Sequence, residues 1–401
     1  LAVRRIGAPE RRARLGRRHH LAAAARADDP VEVATDLVGL HGTDPASVYL
    51  AALARLRDPA GGVAAVQRAL YEDRSLLRML GMRRTVFVLP VGLAAVVQAA
   101  CTRAVAAVKR RRLVQFLAQA GVADGDDVAG WLAELEEATV RALAARGEAL
   151  ATELSADEPR LRRRVLLAAG KSYQAEQSIA TRVLSQLAAD GRIVRARPRG
   201  SWTSSQYRWS VTGGWLPGGL PELPTGAAQV ELVRRWLAAF GPGTVADLRW
   251  WTGWPAGQVA RALAEVGPVE VELEGGAGSG TGLVLPDDVE PVDAPPPWVA
   301  LLPALDPTAM GWSGREWYLG EHGPALFDRS GNIGPTVWAG GRVVGGWAQR
   351  RDGGIAYRLL ADVGTEAVEA VAEAAGRLGE LIGPVRVTPR FRTPLERELS
   401  G

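Results

Sequence analysis

The chain has 401 residues, too many for one domain of ordinary size, and 47% of them are hydrophobic, enough for several cores. The formal charge is only +4, yet the 48 basic residues include just two lysines, Lys109 and Lys171, leaving 46 arginines. Arginine suits phosphate and base-edge recognition, and an Ala, Gly, Arg and Pro-rich coding bias would give the same skew, so composition permits nucleic-acid binding without requiring it. Cys101 is the single cysteine, which excludes an intrachain disulfide and a paired-thiolate metal site and fits a reducing cytoplasm.

The arginine-rich stretch from Arg4 to Arg18 lacks the contiguous apolar core of a secretory signal. A basic, Ala-rich helix is predicted over Arg11–Ala25. Asp29-Pro30 then supplies a cap and first-turn proline for a helix over Val31–Leu40. The stretch Asp36–Tyr49, DLVGLHGTDPASVY, ends an apolar run on His41, Thr43 and Asp44. The pattern predicts that His41 sits at a helix end and that Asp44-Pro45 starts a turn. With an ordinary pKa of ~6.5, histidine is suited to proton transfer at neutral pH, whereas a lone histidine there also serves as a cap or core residue. Helices are expected over Ser47–Leu56 and Gly62–Tyr71, then a strand at Thr85–Leu89 beside Arg83 and Arg84. The apolar run Thr85–Cys101, broken by Pro90 and Gln98, falls short of the ~20 residues that cross a bilayer and reads as core, with no membrane partner.

The order then recurs. Helices are predicted at Trp131–Ala145, Glu148–Leu154 and Gln174–Asp190, and strands at Ile193–Arg197 and Gln206–Val211 flank a turn of Pro198, Arg199, Gly200 and Ser201. Arg195, Arg197 and Arg199 with Trp202 make this a basic wing, fit to lay guanidinium groups on phosphates and a ring on sugar or base. The Gly- and Pro-rich Gly213–Pro224 reads as a linker. A third round follows, with helices at Gln229–Phe240, Val245–Trp251 and Ala256–Val266 and strands at Val269–Glu274 and Thr281–Leu285. Its wing is acidic at Glu270, Glu272 and Glu274, which assigns it to scaffolding. The turn Gly275–Gly282 lacks the Gly-Lys-Ser/Thr and following helix of a phosphate loop. After the Pro-rich Asp287–Pro297, strands are predicted at Val299–Pro303, Thr336–Ala339, Arg342–Gln349 and Ile355–Leu360, a helix at Gly364–Ile382 and a last strand at Val385–Thr388, a meander or small barrel.

Three helix-and-hairpin units ahead of a β-rich tail, GLHGTDP in the first, the strand MRRTVFVLP, LLPALDPTAMGW with Asp306-Pro307, and PTVWAGGRVVGGWAQR resemble the AlkZ/YcaQ family of winged-helix DNA glycosylases over nearly the whole chain. The resemblance implies an α+β fold of three tandem winged-helix units, 1–125, 126–215 and 225–290, then a C-terminal β-barrel, 296–395, around a concave channel for double-stranded DNA. It implies a monomeric, nucleoid-associated DNA-repair glycosylase that hydrolyses the N-glycosidic bond of alkylated purines, including bulky N7-guanine adducts of the antibiotic self-resistance type. The family's catalytic motif, Gln, an apolar residue, then Gln or Asp, falls on His41, Gly42 and Thr43, so neither glutamine is present. A purine alkylated at N7 already carries positive charge and leaves as a neutral base without an acid, which leaves His41 to direct or deprotonate water and Asp44 to steady the sugar cation, unless Asp44 is only a turn residue. Arg83, Arg84, Arg195, Arg197, Arg199 and Trp202 are the DNA-contact candidates. No cofactor or metal is expected, since His19, His20, His41 and His322 have no ligand spacing, and neither lysine lies near the motif in sequence, so simple hydrolysis is expected. A non-catalytic DNA-binding or regulatory protein that has lost the glutamines is the alternative.

Overall fold

The computed structural model describes residues 3–167, 175–274 and 280–401. Lys171, Gln174 and the first part of the turn Gly275–Gly282 lie outside the described residues. The fold is mixed α+β.

The first unit begins at the helix Pro30–Asp36, where Asp29 accepts hydrogen bonds from the backbone N–H of Val31 and Glu32. It stops four residues short of the expected Leu40. Val38 at φ 53° and Gly39 at φ 101° turn the chain, and the Gly39 N–H closes back on the Ala34 carbonyl at 2.7 Å. A left-handed pair cannot continue a right-handed helix. Leu40 and His41 instead form a short edge strand on Val88 and Phe87, so His41 lies on a sheet and not at a helix end. Asp44 is the N-cap of the next helix, Pro45–Leu53. After Gly62–Tyr71, the hairpin Leu76–Leu80 and Val86–Pro90 completes a three-stranded sheet with His41's strand at one edge.

The chain then runs Val91–Gln119 as one helix, with a π-helical turn at Gln98–Thr102. By length and composition it could cross a membrane, but Leu93, Ala94, Val97 and Ala100 are buried in protein, and Lys109 to Arg112 would charge its second half.

The second unit repeats the plan of the first. Helix Val128–Arg146 leads to the strand Glu148–Ala149, helix Ala151–Asp157, helix Ala180–Ala189 and the hairpin Ile193–Pro198 with Tyr207–Val211. The short strand pairs with Tyr207–Val211, leaving Ile193–Pro198 on the far side. An added hairpin, Arg164–Leu167 with Ala175–Ser178, precedes the third helix. It occupies residues expected to open that helix, which therefore starts at Ala180. Glu148 and Ala149 likewise extend the sheet where helix was expected, because Gly147 at φ 76° ends the preceding helix and resets the chain direction.

The third unit, helices Thr225–Phe240, Val245–Thr252 and Ala256–Val266 with strands Val269–Glu274 and Gly280–Val284, takes its third strand from the amino terminus. Arg5–Gly7 pairs parallel to Val269–Glu274, and the following helix is Ala8–Arg18, shorter than expected.

The C-terminal strands Val299–Leu302, Thr336–Ala339, Arg342–Gln349 and Ile355–Leu359 form an antiparallel four-stranded meander. It is an open sheet, and the expected barrel is not formed: the first and last strands do not pair, and helix Thr365–Ile382 packs against both. The segment expected as a closing strand, Val385–Thr388, is irregular. The Gln349 side chain accepts from the Val387 N–H at 2.8 Å and donates to the Val385 carbonyl at 3.2 Å, taking groups a strand ladder would use.

One hydrophobic core joins the first unit, the third unit and the C-terminal sheet and takes in Val194, Ala196 and Trp202 from the hairpin of the second unit. The second unit has its own, built around Leu132, Leu135, Leu143, Val183 and Leu187 and reached by Leu113 and Leu117 of the long helix.

Candidate nucleic-acid interface

A cleft of about 720 Å³ opens between the first two units, with one contribution from the C-terminal tail. The first unit supplies Gly42, Thr43, Pro45, Arg78 and Val86; the second supplies the ends of two helices, Leu150–Thr152 and Thr181–Ser185, and the wing residues Arg195, Arg199, Gln206 and Tyr207. Arg390 reaches in from the tail. Among the described residues, four arginines and no carboxylate line it.

Arg78 is held rigidly. It is buried, its Nη1 donates to the Gly42 carbonyl at 2.7 Å, and its guanidinium lies 5.0 Å from the centre of the Tyr207 ring. Among the described residues its Nε and Nη2 and the Tyr207 hydroxyl have no partner. Buried donors without acceptors are costly, and these lie along one wall of the cleft. Arg195 stacks on Trp209 at 4.8 Å, and burial together with the Arg78 charge pulls its pKa down to about 10. Two guanidinium groups without an intervening acid attract an anion.

Of the three catalytic candidates, only Thr43 lines the cleft. Its Oγ1 accepts from the Val86 N–H at 3.4 Å. Asp44 points beneath the floor: one carboxylate oxygen caps the following helix through the Ala46 N–H at 3.2 Å, and the other accepts from the Arg390 N–H at 3.1 Å. That second bond brings Arg390 over the cleft, with its guanidinium 3.5 Å from the Thr43 carbonyl. Burial raises the Asp44 pKa against those hydrogen bonds. His41 is 5% exposed, packs on Phe87 at 5.1 Å, and leaves Nδ1 buried without a partner. Burial, then the Arg83 charge, lowers its pKa to about 3, so the ring is neutral at physiological pH.

The DNA-contact candidates divide. Arg195 and Arg199 enter the cleft. A β-bulge between Arg195 and Pro198 breaks the strand alternation that would keep the three arginines on one face, and Arg197 turns away from the cleft to pair with Glu72 at 2.9 Å. Trp202, expected as an exposed ring, is buried at 7% exposure against Tyr49. Arg84 is exposed, and Arg83 is half-buried on Trp250. The sequence reading missed Arg78 and Arg390. Arg78 was hidden in an apolar strand, LLRML, where an arginine at a core-facing position was itself a signal. Lys109, far from the motif in sequence, donates to Ser185 on the cleft wall at 3.0 Å.

One grouping of metal-type ligands occurs among the described residues: His20, Glu32 and Asp36, with ligand atoms within 4.8 Å of one another. Burial lowers the His20 pKa, but its bonds to Asp36 and the Ala25 carbonyl outweigh it and leave the pKa raised. Within the trio His20 and Asp36 form an ion pair at 2.9 Å, and none of the three residues is in the cleft.

A fold of this organisation is that of a known DNA glycosylase: Streptomyces sahachiroi DNA glycosylase AlkZ superposes with a TM-score of 0.70 at 21% identity, over 96% of this chain and 98% of that one. No curated protein sequence matches the chain. The sequence pattern of the DNA glycosylase AlkZ-like family matches residues 34–381, and the chain belongs to that family.

Proposed function

We propose that the protein is a DNA-repair glycosylase that binds double-stranded DNA across the cleft and hydrolyses the N-glycosidic bond of alkylated purines, including bulky N7-guanine adducts of the self-resistance type. The observation that carries this reading is the cleft itself, four arginines without a carboxylate converging on the family's motif position at Thr43. The repeated order of helices, edge strand and hairpin supports reading the first two units as winged helices that form a channel. The enzyme acts as a monomer on nucleoid DNA in the cytoplasm.

An N7-alkylated purine carries positive charge and leaves without a protonating acid. The protein then has to hold the duplex, admit the lesion and place water at the sugar carbon. Arg78, Arg195, Arg199 and Arg390 supply the first by pairing with phosphates. Thr43 supplies the last, with Gln206 across the cleft as a second polar group able to orient water. His41 and Asp44 act from behind: the neutral imidazole packs under the Gly42–Thr43 turn, and the carboxylate fixes both that turn and Arg390.

A second reading, a DNA-binding protein without hydrolysis, is favoured by one observation: the position of the family's first glutamine holds a buried histidine whose Nδ1 has no partner. Single-turnover release of free base from an alkylated duplex separates the two. Release that falls with Thr43→Ala while duplex affinity is kept supports the enzyme; binding with no release supports the second reading.

A further inference from the structure

A second cationic cluster lies outside the cleft, built from three segments distant in sequence. Arg83 sits in the turn between the two hairpin strands of the first unit, with Arg83 at φ 51° and Arg84 at φ 62°. Its guanidinium stacks on Trp250 at 4.1 Å. Arg315 stacks on the same indole at 4.8 Å and on Phe327 at 4.9 Å. Both arginine Nε atoms are buried without a partner, and among the described residues neither side chain forms an ion pair. Arg315 donates a weak contact to the Met310 sulfur at 4.0 Å and lies beside the Tyr318 hydroxyl, neither of which carries a negative charge.

The surroundings hold these cations in place. Asp247, on the same helix as Trp250, accepts from the Ser313 N–H at 2.8 Å and the Gly314 N–H at 2.9 Å, fastening the loop that carries Arg315. Its other oxygen is spent on the Thr244 cap, so that carboxylate does not neutralise the arginines. Gly253, just past the helix end, meets the Arg83 backbone: a Cβ there would stand 3.4 Å from the Arg83 Cα. Burial, and then Arg315, lowers the Arg83 pKa to about 10. Two like charges fixed on one aromatic ring repel each other, and a shared anion removes that repulsion.

We infer that Arg83 and Arg315, stacked on Trp250, clamp a DNA phosphodiester beside the cleft. The inference rests on DNA being the partner. Location specifies which phosphate chemistry is meant: Val86 lines the cleft and is three residues from Arg83, a reach of at most ~10 Å. Each strand of duplex carries a charge about every 3.4 Å of axis, so a backbone entering the cleft has phosphates within reach of the clamp. Arginine's planar fork matches a phosphodiester held between two donors.

The test is fluorescence anisotropy of a labelled duplex over a salt series, using the full chain, Arg83→Gln, Arg315→Gln, the double variant, and Arg377→Gln as a surface control paired only with Glu373. Each single variant is expected to bind about tenfold more weakly and to lose about one unit of the slope of log affinity against log salt. The double variant should be within about twofold of the weaker single variant, because both arginines serve one phosphate, and the control should match the parent. Circular dichroism melts identify a variant that does not fold; should Arg83→Gln fail, Arg315→Gln decides alone, since its loop is fastened by Asp247 through the backbone. An Arg315→Gln protein with parental slope overturns the clamp and leaves the DNA reading standing. A parent without salt-dependent duplex affinity overturns both. Parental duplex behaviour in Arg315→Gln combined with weakened inorganic phosphate binding would assign the cluster to a free anion and also overturn the clamp.

Discussion

Arg55 and Asp306 form a fully buried bidentate ion pair, with Nη1–Oδ2 at 2.9 Å and Nη2–Oδ1 at 2.7 Å. The remaining Arg55 donors reach the His19 and Ala51 carbonyls and the Thr308 hydroxyl, so all five N–H groups are used. The pair ties the first unit to the C-terminal sheet. Removing one partner leaves an uncompensated buried charge, so Asp306→Ala is expected to lower stability by about 3–5 kcal/mol. Replacing both by apolar residues of similar volume should cost less than either single change. Urea unfolding of the two singles and the double measures this; a single Asp306→Ala within 1 kcal/mol of the parent (about the scatter of such contacts) would show the pair to be unimportant.

The same residues show how far the sequence could be read. Asp306-Pro307 marked the resemblance, but nothing in LLPALDPTAMGW indicates that its aspartate meets an arginine 251 positions earlier. Periodicity and caps located most helices, because the signals are local. Elements set by distant partners were hidden: Arg5–Gly7 is too short to register as a strand without Val269–Glu274 beside it, and Leu40–His41 exists only because Phe87 and Val88 receive it. At the site, Thr43 was legible from its neighbours. The sealing of His41 was not, since it depends on packing by Phe87, and the lowered pKa also on the Arg83 charge, both of which arrive with the hairpin.

The wing gives a sharper test of DNA contact than its charge alone. Arg195 and Arg199 face the cleft, whereas Arg197 is exposed and paired with Glu72. Arg195→Ala with Arg199→Ala should reduce the salt slope of duplex binding by about 1.8, at ~0.9 per phosphate. Arg197→Ala should leave it unchanged. A slope that responds to Arg197 and not to the other two would place DNA on the opposite face of the hairpin.

Acid should destabilise the fold through its buried imidazoles. His41 has a folded pKa of about 3 and His19 is pushed well below its ordinary value, in both cases first by burial. For each, the folded pKa lies below the unfolded value of ~6.5, so the stabilising contribution is complete above pH ~6.5 and is lost as pH falls toward the folded pKa. His20 and Asp44, with raised pKa values, contribute with the opposite sign. The free energy of unfolding measured by urea titration is therefore expected to fall between pH 7 and pH 5, by at most about 1.4 kcal/mol per pH unit for each neutral histidine. His41→Gln should shallow that fall; an identical pH dependence would mean that the ring is solvated.

Truncation distinguishes the two cores. Deleting 299–401 removes Asp306, Arg390 and the apolar face that completes the shared core, so the shortened chain should aggregate and lack a cooperative melt. A fragment of residues 103–211 keeps every buried residue of the second core and should remain soluble, with a sigmoidal urea transition. Cooperative folding of the truncated chain would show the C-terminal sheet to be an independent domain.

At the site itself, burial argues against His41 as the group that deprotonates water. A group with a pKa near 3 is already deprotonated throughout pH 5–8, and so weak a base transfers little proton at neutrality. The rate should be flat over that range. His41→Gln, which installs the family's residue and is a neutral amide of similar size, should retain activity within about threefold, since packing under Thr43 is what the imidazole provides. Thr43→Ala removes the hydroxyl that lines the cleft and should slow release about 10- to 100-fold through lost water positioning, with little change in duplex affinity. Single-turnover kinetics across pH decide it. A profile with one inflection between pH 5.5 and 7.5, near the ordinary imidazole value of ~6.5, that disappears in His41→Gln would restore the histidine as the base. It would also require the ring to leave Phe87 and enter the cleft when DNA binds.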